Sequence, residues 1–425
     1  MSEFQYKGYL GILEDPKNSV SHRMMMSNIS YPDKKGNNIS PDNSYKDIMS
    51  GSDNGKGVFV REVRRLKLRN KKIVKFKYQK HTIMNRGKIT EKPFLDEDLL
   101  SNYSAKFAEC LKNVKKSKGL VLIFTRYIRA GIIPFSLILE QNGFSRYEES
   151  DLLDYPKNRK GGGGKRKICY KCGNEPSNPI HHDENLKNYH KFKQASYIAV
   201  TGSEITSYTP ETATSIFNRP ENMYGENVKV IIGGESIREG INFKNVRQLH
   251  ILDPWHNISK LDQIIGRSIR NCSHVKLPPD ERNVDVFLYG AIQPEKLRQK
   301  ELLKYVETDD VRRYRLSEIN HNKILKVEKI LKEVAVDCVL NKNRNKCIKV
   351  EKVLTDSFGN RIKYKSTQSV KKMKKLLKGE KERPCDYKCI WQPTEKQMKE
   401  MKLDTDTYIE TIRDKFIKES VNHIR

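Results

Sequence analysis

The stretch QIIGRSIR holds the side chains best suited to chemistry. Arg267 and Arg270 stand three residues apart, with Gln263 four residues before Arg267. A guanidinium is always charged and presents a fork of donors, which suits a phosphoryl group gaining negative charge in a transition state. On one face of a rigid helix, two such groups would reach a nucleotide held by another domain. A bare QxxGRxxR also fits a solvated basic helix, so its context has to decide. A second set lies in CYKCGNEPSNPIHHDENLKNYH. Cys169 and Cys172 have the CxxC spacing of a zinc knuckle, and Gly173 would ease the turn. His181 and His182 follow nine and ten residues after Cys172, with His190 beyond them. Tetrahedral Zn²⁺ takes four thiolate or imidazole ligands. Side chains of adjacent histidines diverge, so one of His181 and His182 is expected to bind, with His190 or Asp183 completing the set. A polar, glycine-containing loop has little core of its own, and a structural zinc would staple it. Cys385 and Cys389, spaced CxxxC, read either as another half-site or, more simply, as packed or solvated thiols.

These side chains need a scaffold, and the pattern around them supplies one. Phe107, Cys110, Leu111 and Val114 fall at i, i+3, i+4 and i+7, which predicts an amphipathic helix. GLVLIFT (119–125) reads as a buried strand, and Ile132–Asn142 as a helix with Gly143 just past its end. A polar insert, about 148–195, contains RKGGGGKRK and the Cys/His cluster. The alternation then resumes with strand YIAVTG (197–202), a helix opened by Thr209-Pro210, and strand VKVIIGG (228–234). Strand QLHILD (248–253), helix Ser259–Arg270 and strand DVFLYGAI (285–292) complete it. Continuous Val/Ile/Leu strands alternating with amphipathic helices predict an α/β fold with a parallel sheet covered on both faces. Residues 1–100 read as an irregular basic arm, with one strand or hairpin at 71–83. Residues 101–295 form the α/β lobe, and 296–425 a basic helical extension. That extension includes a long amphipathic helix through Ile324, Leu325, Glu328, Leu331, Val334, Ala335 and Cys338.

The chain has 425 residues and a formal charge of +29, with 36% hydrophobic and 32% charged residues and a mean hydropathy of −0.75. Its longest apolar run, Gly131–Leu139, is well short of the roughly 20 residues that span a bilayer. The first residues carry acids and no apolar core, so neither a membrane partner nor a secretory signal is expected. Ten Lys/Arg face one acid between Arg61 and Lys80, and fifteen face four between Asn341 and Arg383. Such runs attract a polyanion and release counterions when it binds, although solvated basic faces have the same composition. Eight cysteines in a chain of this length do not read as a disulfide framework, and reduced thiols in a cytosolic setting are expected.

Around the two arginines the wording becomes specific. GGESIREGINF (233–243) is a glycine-rich strand-to-helix turn, and HILDPWHNISKLDQ (250–263) links it to the arginine helix. This order resembles motifs V, Va and VI in the second RecA-like lobe of superfamily 2 helicases. VLIFT (121–125) would then be motif IV, and AVTGSE (199–204) the strand and turn after it. SIREGINF, LHILDPWHN and DQIIGRSIRNCSH look most like the poxvirus-type helicases of large DNA viruses. That group includes the early transcription factor large subunit and nucleoside triphosphatase I. MSNISYP (26–32), VAVDCVLN (334–341) and CDYKC (385–389) fit it too, so the resemblance covers roughly 20–395.

The resemblance implies a single RecA-like lobe and assigns roles by position. Arg267 and Arg270 correspond to the arginine fingers of motif VI, and Gln263 to the residue that senses nucleotide and couples the lobes. Gly240, with Glu239 and Asn242 beside it, falls in motif V, which touches nucleic-acid phosphate and nucleotide. Thr201, Gly202 and Ser203 would meet backbone phosphates through hydroxyl and amide donors, fixing register without reading sequence. Trp255 would pack under motif VI or stack on a base. No GxxxxGKS/T and no DExH or DExD box occurs; SDNGKGVFV (52–60) lacks the spacing and the following Ser/Thr. The chain therefore reads as the downstream half of a motor, a split gene or a decayed remnant. ATP and Mg²⁺ would be shared with a polypeptide carrying the Walker A and DExH lobe. The implied track is DNA or RNA in viral transcription, in a virus-encoded protein of the host cytoplasm (the viral factory) or the virion. The alternative is a non-catalytic nucleic-acid-binding scaffold derived from such a helicase.

Overall fold

The computed structural model describes residues 1–13, 19–32, 37–39, 59–65, 72–78, 84–85, 88–89, 93–154, 166–201, 208–237, 241–294, 307–335, 338, 388–390, 394 and 396–397. In chain order the principal elements are α1 (Glu3–Leu13), α2 (Val20–Asn28), β1 (Phe59–Arg65), β2 (Lys72–Tyr78), α3 (Glu97–Tyr103), α4 (Ala105–Lys116) and β3 (Leu120–Phe124). There follow α5 (Ile133–Gln141), β4 (Ser145–Arg146), β5 (Leu153–Asp154), β6 (Ser196–Val200), α6 (Pro210–Phe217) and β7 (Val230–Gly233). The last are β8 (Val246–Ile251), α7 (Ile258–Ser268), β9 (Asp285–Leu288) and α8 (Asp309–Val334).

Six strands form one sheet in the order β9-β8-β3-β7-β6-β4, each pair parallel. Strand β3, LVLIF, is buried along its whole length because side chains of alternate residues enter two cores. Val121 and Ile123 join Phe107 of α4 and Phe135 of α5 on one face. Leu120, Leu122 and Phe124 join Phe217 of α6 and Leu261 and Ile264 of α7 on the other. This is the RecA-like α/β arrangement, with the Cys/His loop inserted between β5 and β6. Residues Phe107, Cys110, Leu111 and Val114 of α4 all point inward, as their spacing requires. Its cap is Ser104, whose hydroxyl accepts from Phe107 N at 3.1 Å. Helix α6 opens as its sequence implies, with Thr209 Oγ1 accepting from Thr212 N and Pro210 in the first turn. Gly143 follows α5 at φ +102°, a conformation that favours glycine.

Four local expectations need correction or completion. The first 60 residues are not wholly irregular, since they contain α1 and α2. Short helices rich in Tyr and Met lack a long periodic stripe, and these two are held by distant partners. Gln5 donates its amide to Met26 O (3.0 Å) and Ser27 O (2.9 Å), and Tyr9 donates its hydroxyl to Asp309 Oδ2 (2.9 Å). Strand β2 pairs antiparallel with β1, which the alternation at 71–83 alone did not specify. Helix α7 ends at Ser268, not at Arg270. Ile269 leaves helical geometry at φ −115°, ψ 65°, and Cys272 turns the chain at φ +61° so that Asn245 N donates to Ser273 O (3.1 Å). The fourth concerns thiols. Cys338 and Cys389 are disulfide-bonded, with Cα atoms 5.6 Å apart. Ile390 N donates to Glu333 O (2.9 Å) and Lys388 N to Glu333 Oε1 (3.1 Å), which lays Cys389 beside the end of α8. Cys385 lies outside the described residues, as does the basic stretch 341–383.

Residues 1–320 and 321–425 form two compact units. The first carries the sheet and every candidate site residue. In the second, the helix predicted through Ile324 is present, but Ile324, Leu331 and Val334 face solvent at 42–60% exposure, so this face is not core. Among the described residues no helix is long and apolar enough to cross a membrane.

Candidate functional site

Asn257 caps α7 by accepting from Ser259 N at 2.9 Å, and Leu261, Ile264 and Ser268 bury its inner face. This fixes the helix against the sheet and leaves Gln263 exposed on the outer side. Arg267 Nη1 donates to Ile241 O at 3.2 Å, and Phe243 N donates back to Arg267 O at 3.2 Å. Arg270 Nη1 donates to Asn242 Oδ1. Although Arg270 lies beyond the helix, both arginines therefore meet the same 241–242 segment. That segment is fixed from its other side by Asn218, at the end of α6. Asn218 Nδ2 donates to Asn242 O (2.8 Å), and Asn218 Oδ1 accepts from Lys244 N (2.8 Å). Phe243 anchors it below, edge-on to Phe217 at 5.9 Å. The structure thus brings Arg267, Arg270 and Asn242 together. Thr201 is buried at the carboxyl end of β6. Gly202, Ser203, Glu239 and Gly240 lie outside the described residues.

At the carboxyl ends of β3 and β8, where open α/β sheets bind ligands, the sequence reading missed a polar knot. Asp253 is fully buried and accepts from Thr125 Oγ1 (2.6 Å), Arg126 N (2.7 Å) and Asn28 Nδ2 (2.7 Å). Beside it Trp255, 3% exposed, is covered by the Arg126 guanidinium at 5.1 Å and by Lys260 Nζ at 4.2 Å. Cations on its ring and burial give Trp255 a packing role, not a base stack. An acid directly after the strand HIL was the available signal for Asp253.

In the insert, Cys169, Cys172, His181 and His190 converge, with ligand atoms all within 4.8 Å of one another. Cys169 Sγ lies 3.3 Å from His190 Nε2, and Cys172 Sγ 3.5 Å from His181 Nε2. His182 is exposed and turned away, its Nε2 on Pro176 O at 2.7 Å, so the structure selects His181 from the adjacent pair. Asp183 is occupied with Asn185 N at 3.0 Å. The knuckle rests on the lobe through Gly173 and Lys229. Gly173 has φ +73°, and a Cβ there would meet Lys115 O at 2.7 Å. Lys229, 1% exposed, donates to Ser117 O (2.8 Å) and Tyr170 O (2.5 Å), and burial pushes its ammonium down to about 8.

Residues 180–272 match the family described as the helicase conserved C-terminal domain. The chain is 30% identical over 264 residues to a protein of Acanthamoeba polyphaga mimivirus named as an ATP-dependent RNA helicase, covering 58% of this chain and 21% of that one. It is 28% identical over 257 residues to the termination factor NPH-I homolog of African swine fever virus, covering 58% and 34%. It is 29% identical over 248 residues to the early transcription factor large subunit homolog of that virus, covering 57% and 19%. The chain spans about a fifth to a third of the length of these curated relatives. The chain thus carries a match to the helicase conserved C-terminal domain and is similar, over a little more than half its length, to helicases and transcription factors of large DNA viruses.

Proposed function

We propose that this protein is the second motor lobe of an ATP-dependent nucleic-acid helicase or translocase acting in viral early transcription. Residues 101–295 are the lobe, 1–100 the segment between lobes, and 296–425 a basic extension. The observation that carries the reading is the meeting of Arg267 and Arg270 with Ile241 and Asn242. A binding module has no need of two guanidinium groups fixed to one short segment, whereas an arginine finger must be held in register to act. ATP and Mg²⁺ would be bound chiefly by a polypeptide carrying a Walker A and DExH lobe. Arg267 and Arg270 would neutralise charge developing on the transferred phosphoryl group, and Gln263 would sense the nucleotide. Thr201, Gly202 and Ser203, with Glu239, Gly240 and Asn242, would contact phosphates of a DNA or RNA track. The viral relatives support action with viral transcription machinery, in the viral factory or the virion.

The test is hydrolysis with and without that first lobe. The isolated chain is expected to show no ATP hydrolysis above background. Added to a first lobe, wild type should stimulate turnover, and Arg267→Ala with Arg270→Ala should lower the rate by about 10³–10⁵, the usual span for arginine fingers. Mg²⁺-dependent turnover by the isolated chain, abolished by Arg267→Ala, would sink the reading. So would a double variant as active as wild type, which is the behaviour of a scaffold.

A further inference from the structure

We propose that Cys169, Cys172, His181 and His190 bind one zinc ion, and that this ion is the core around which the segment 166–195 folds. From Tyr170 to Gln194 the only buried side chain is His181; the remaining side chains are half-buried or exposed. Its regular structure amounts to one three-residue 3₁₀ turn, Pro179–His181, and a single bridge between Cys169 and Gln194. A stretch with so little apolar burial cannot offset its ordering entropy by packing, and small segments of this kind are held by disulfides or metals.

The geometry fits a tetrahedral ion. With Zn–S of about 2.3 Å and Zn–N of about 2.0–2.1 Å, sulfur and nitrogen ligands stand roughly 3.5 Å apart. Cys169 Sγ to His190 Nε2 is 3.3 Å here, and Cys172 Sγ to His181 Nε2 is 3.5 Å. In both histidines the Nε2 atom faces the sulfurs, while Nδ1 rests on a backbone carbonyl. His181 Nδ1 lies 3.2 Å from His190 O, and His190 Nδ1 lies 2.8 Å from Asn188 O. A proton on Nδ1 donated to a carbonyl leaves the Nε2 lone pair free for a metal, the usual support behind a ligating imidazole. Two thiolates cancel the charge of the dication, so the centre can sit buried against the lobe without an uncompensated charge. Thiolate with imidazole favours zinc over magnesium or calcium, whose ligands are oxygens. The two thiols release their protons when the metal enters, which makes affinity rise with pH.

This inference is independent of the motor reading, since metal content is measured without any hydrolysis. The full chain, purified without chelator, should carry about one zinc. Replacement by Co²⁺ should give the intense visible bands of tetrahedral thiolate coordination, a readout from the wild-type chain that depends on no variant's folding. Cys169→Ser with Cys172→Ser, and separately His190→Ala, should reduce zinc to a small fraction of the wild-type content. His182→Ala should leave it unchanged. Absence of zinc and of a cobalt spectrum from the wild-type chain overturns the proposal. Zinc unchanged in the double-cysteine variant overturns it as well, and loss on His182→Ala equal to that on His190→Ala overturns the ligand set.

Discussion

His250, near the carboxyl end of β8, has both ring nitrogens engaged. Nδ1 lies 2.8 Å from the Tyr289 hydroxyl and Nε2 3.1 Å from Gln248 Oε1, while Phe287 stacks on the ring at 4.7 Å. A neutral ring accepting from Tyr289 and donating to Gln248 satisfies every partner, and burial holds its pKa down at about 3 against an ordinary 6.5. Between those values the unfolded chain binds a proton that the folded chain does not, so stability falls as pH falls through this window. One such group contributes at most about 1.4 kcal/mol per pH unit. Urea unfolding across that range should lose roughly one proton's worth of slope in His250→Asn; an unchanged slope would assign the acid sensitivity elsewhere. Asp253 makes a different prediction. Asp253→Asn replaces one carboxylate oxygen by an amide donor, which then faces either Asn28 Nδ2 or the Thr125 and Arg126 N pair, and should cost about 1–3 kcal/mol in the same assay. That Arg267 and Arg270 lie close together was legible in their three-residue spacing, although Arg270 stands beyond the helix and not on its face. Asp253 was not, since a lone acid after a strand looks like any loop residue until three donors are seen to converge on it.

Helices and strands are held here by a few side chains that close loops. Asn222, between α6 and β7, is fully buried and saturated. It donates to Phe217 O (2.9 Å) and Val228 O (3.0 Å) and accepts from Asn227 N (2.9 Å) and Val228 N (2.8 Å). Asn222→Ala orphans buried backbone groups and should destabilise the lobe by about 2–4 kcal/mol. Gly173→Ala should act on the knuckle alone. Its left-handed φ of +73° and the 2.7 Å approach to Lys115 O leave no room for a methyl group. It should weaken zinc retention against a chelator with little change in the unfolding midpoint of the sheet. Equal loss of both would mean that insert and sheet unfold as one unit. Strands β3, β6 and β7 were readable because full burial favours continuous apolar runs. Helices α1 and α2 were not, because what holds them is a buried amide and a distant carboxylate.

Across the whole molecule the charge of +29 gives the proposed nucleic-acid binding a testable signature. Affinity for a generic oligonucleotide should fall steeply with salt, since each neutralised phosphate releases counterion. Removing 341–383, with fifteen Lys/Arg against four acids, should flatten that dependence. Arg267→Ala with Arg270→Ala should leave it nearly unchanged; a loss as severe as that of the deletion would place these arginines on the track and not on the nucleotide. The pairing of Tyr9 with Asp309 bears on how the chain is made. Those residues are 300 apart in sequence, and Arg23 of α2 and Lys106 of α4 also close on Asp309 and Asp310. Synthesis at about 5–20 residues per second puts Asp309 out roughly 15–60 s after Tyr9. For that interval the first helices have no carboxylate to dock on, while the strands between them emerge and pair. The opening of the chain is thus among the last parts to settle, and a nascent chain stalled before residue 309 should leave α1 open to protease.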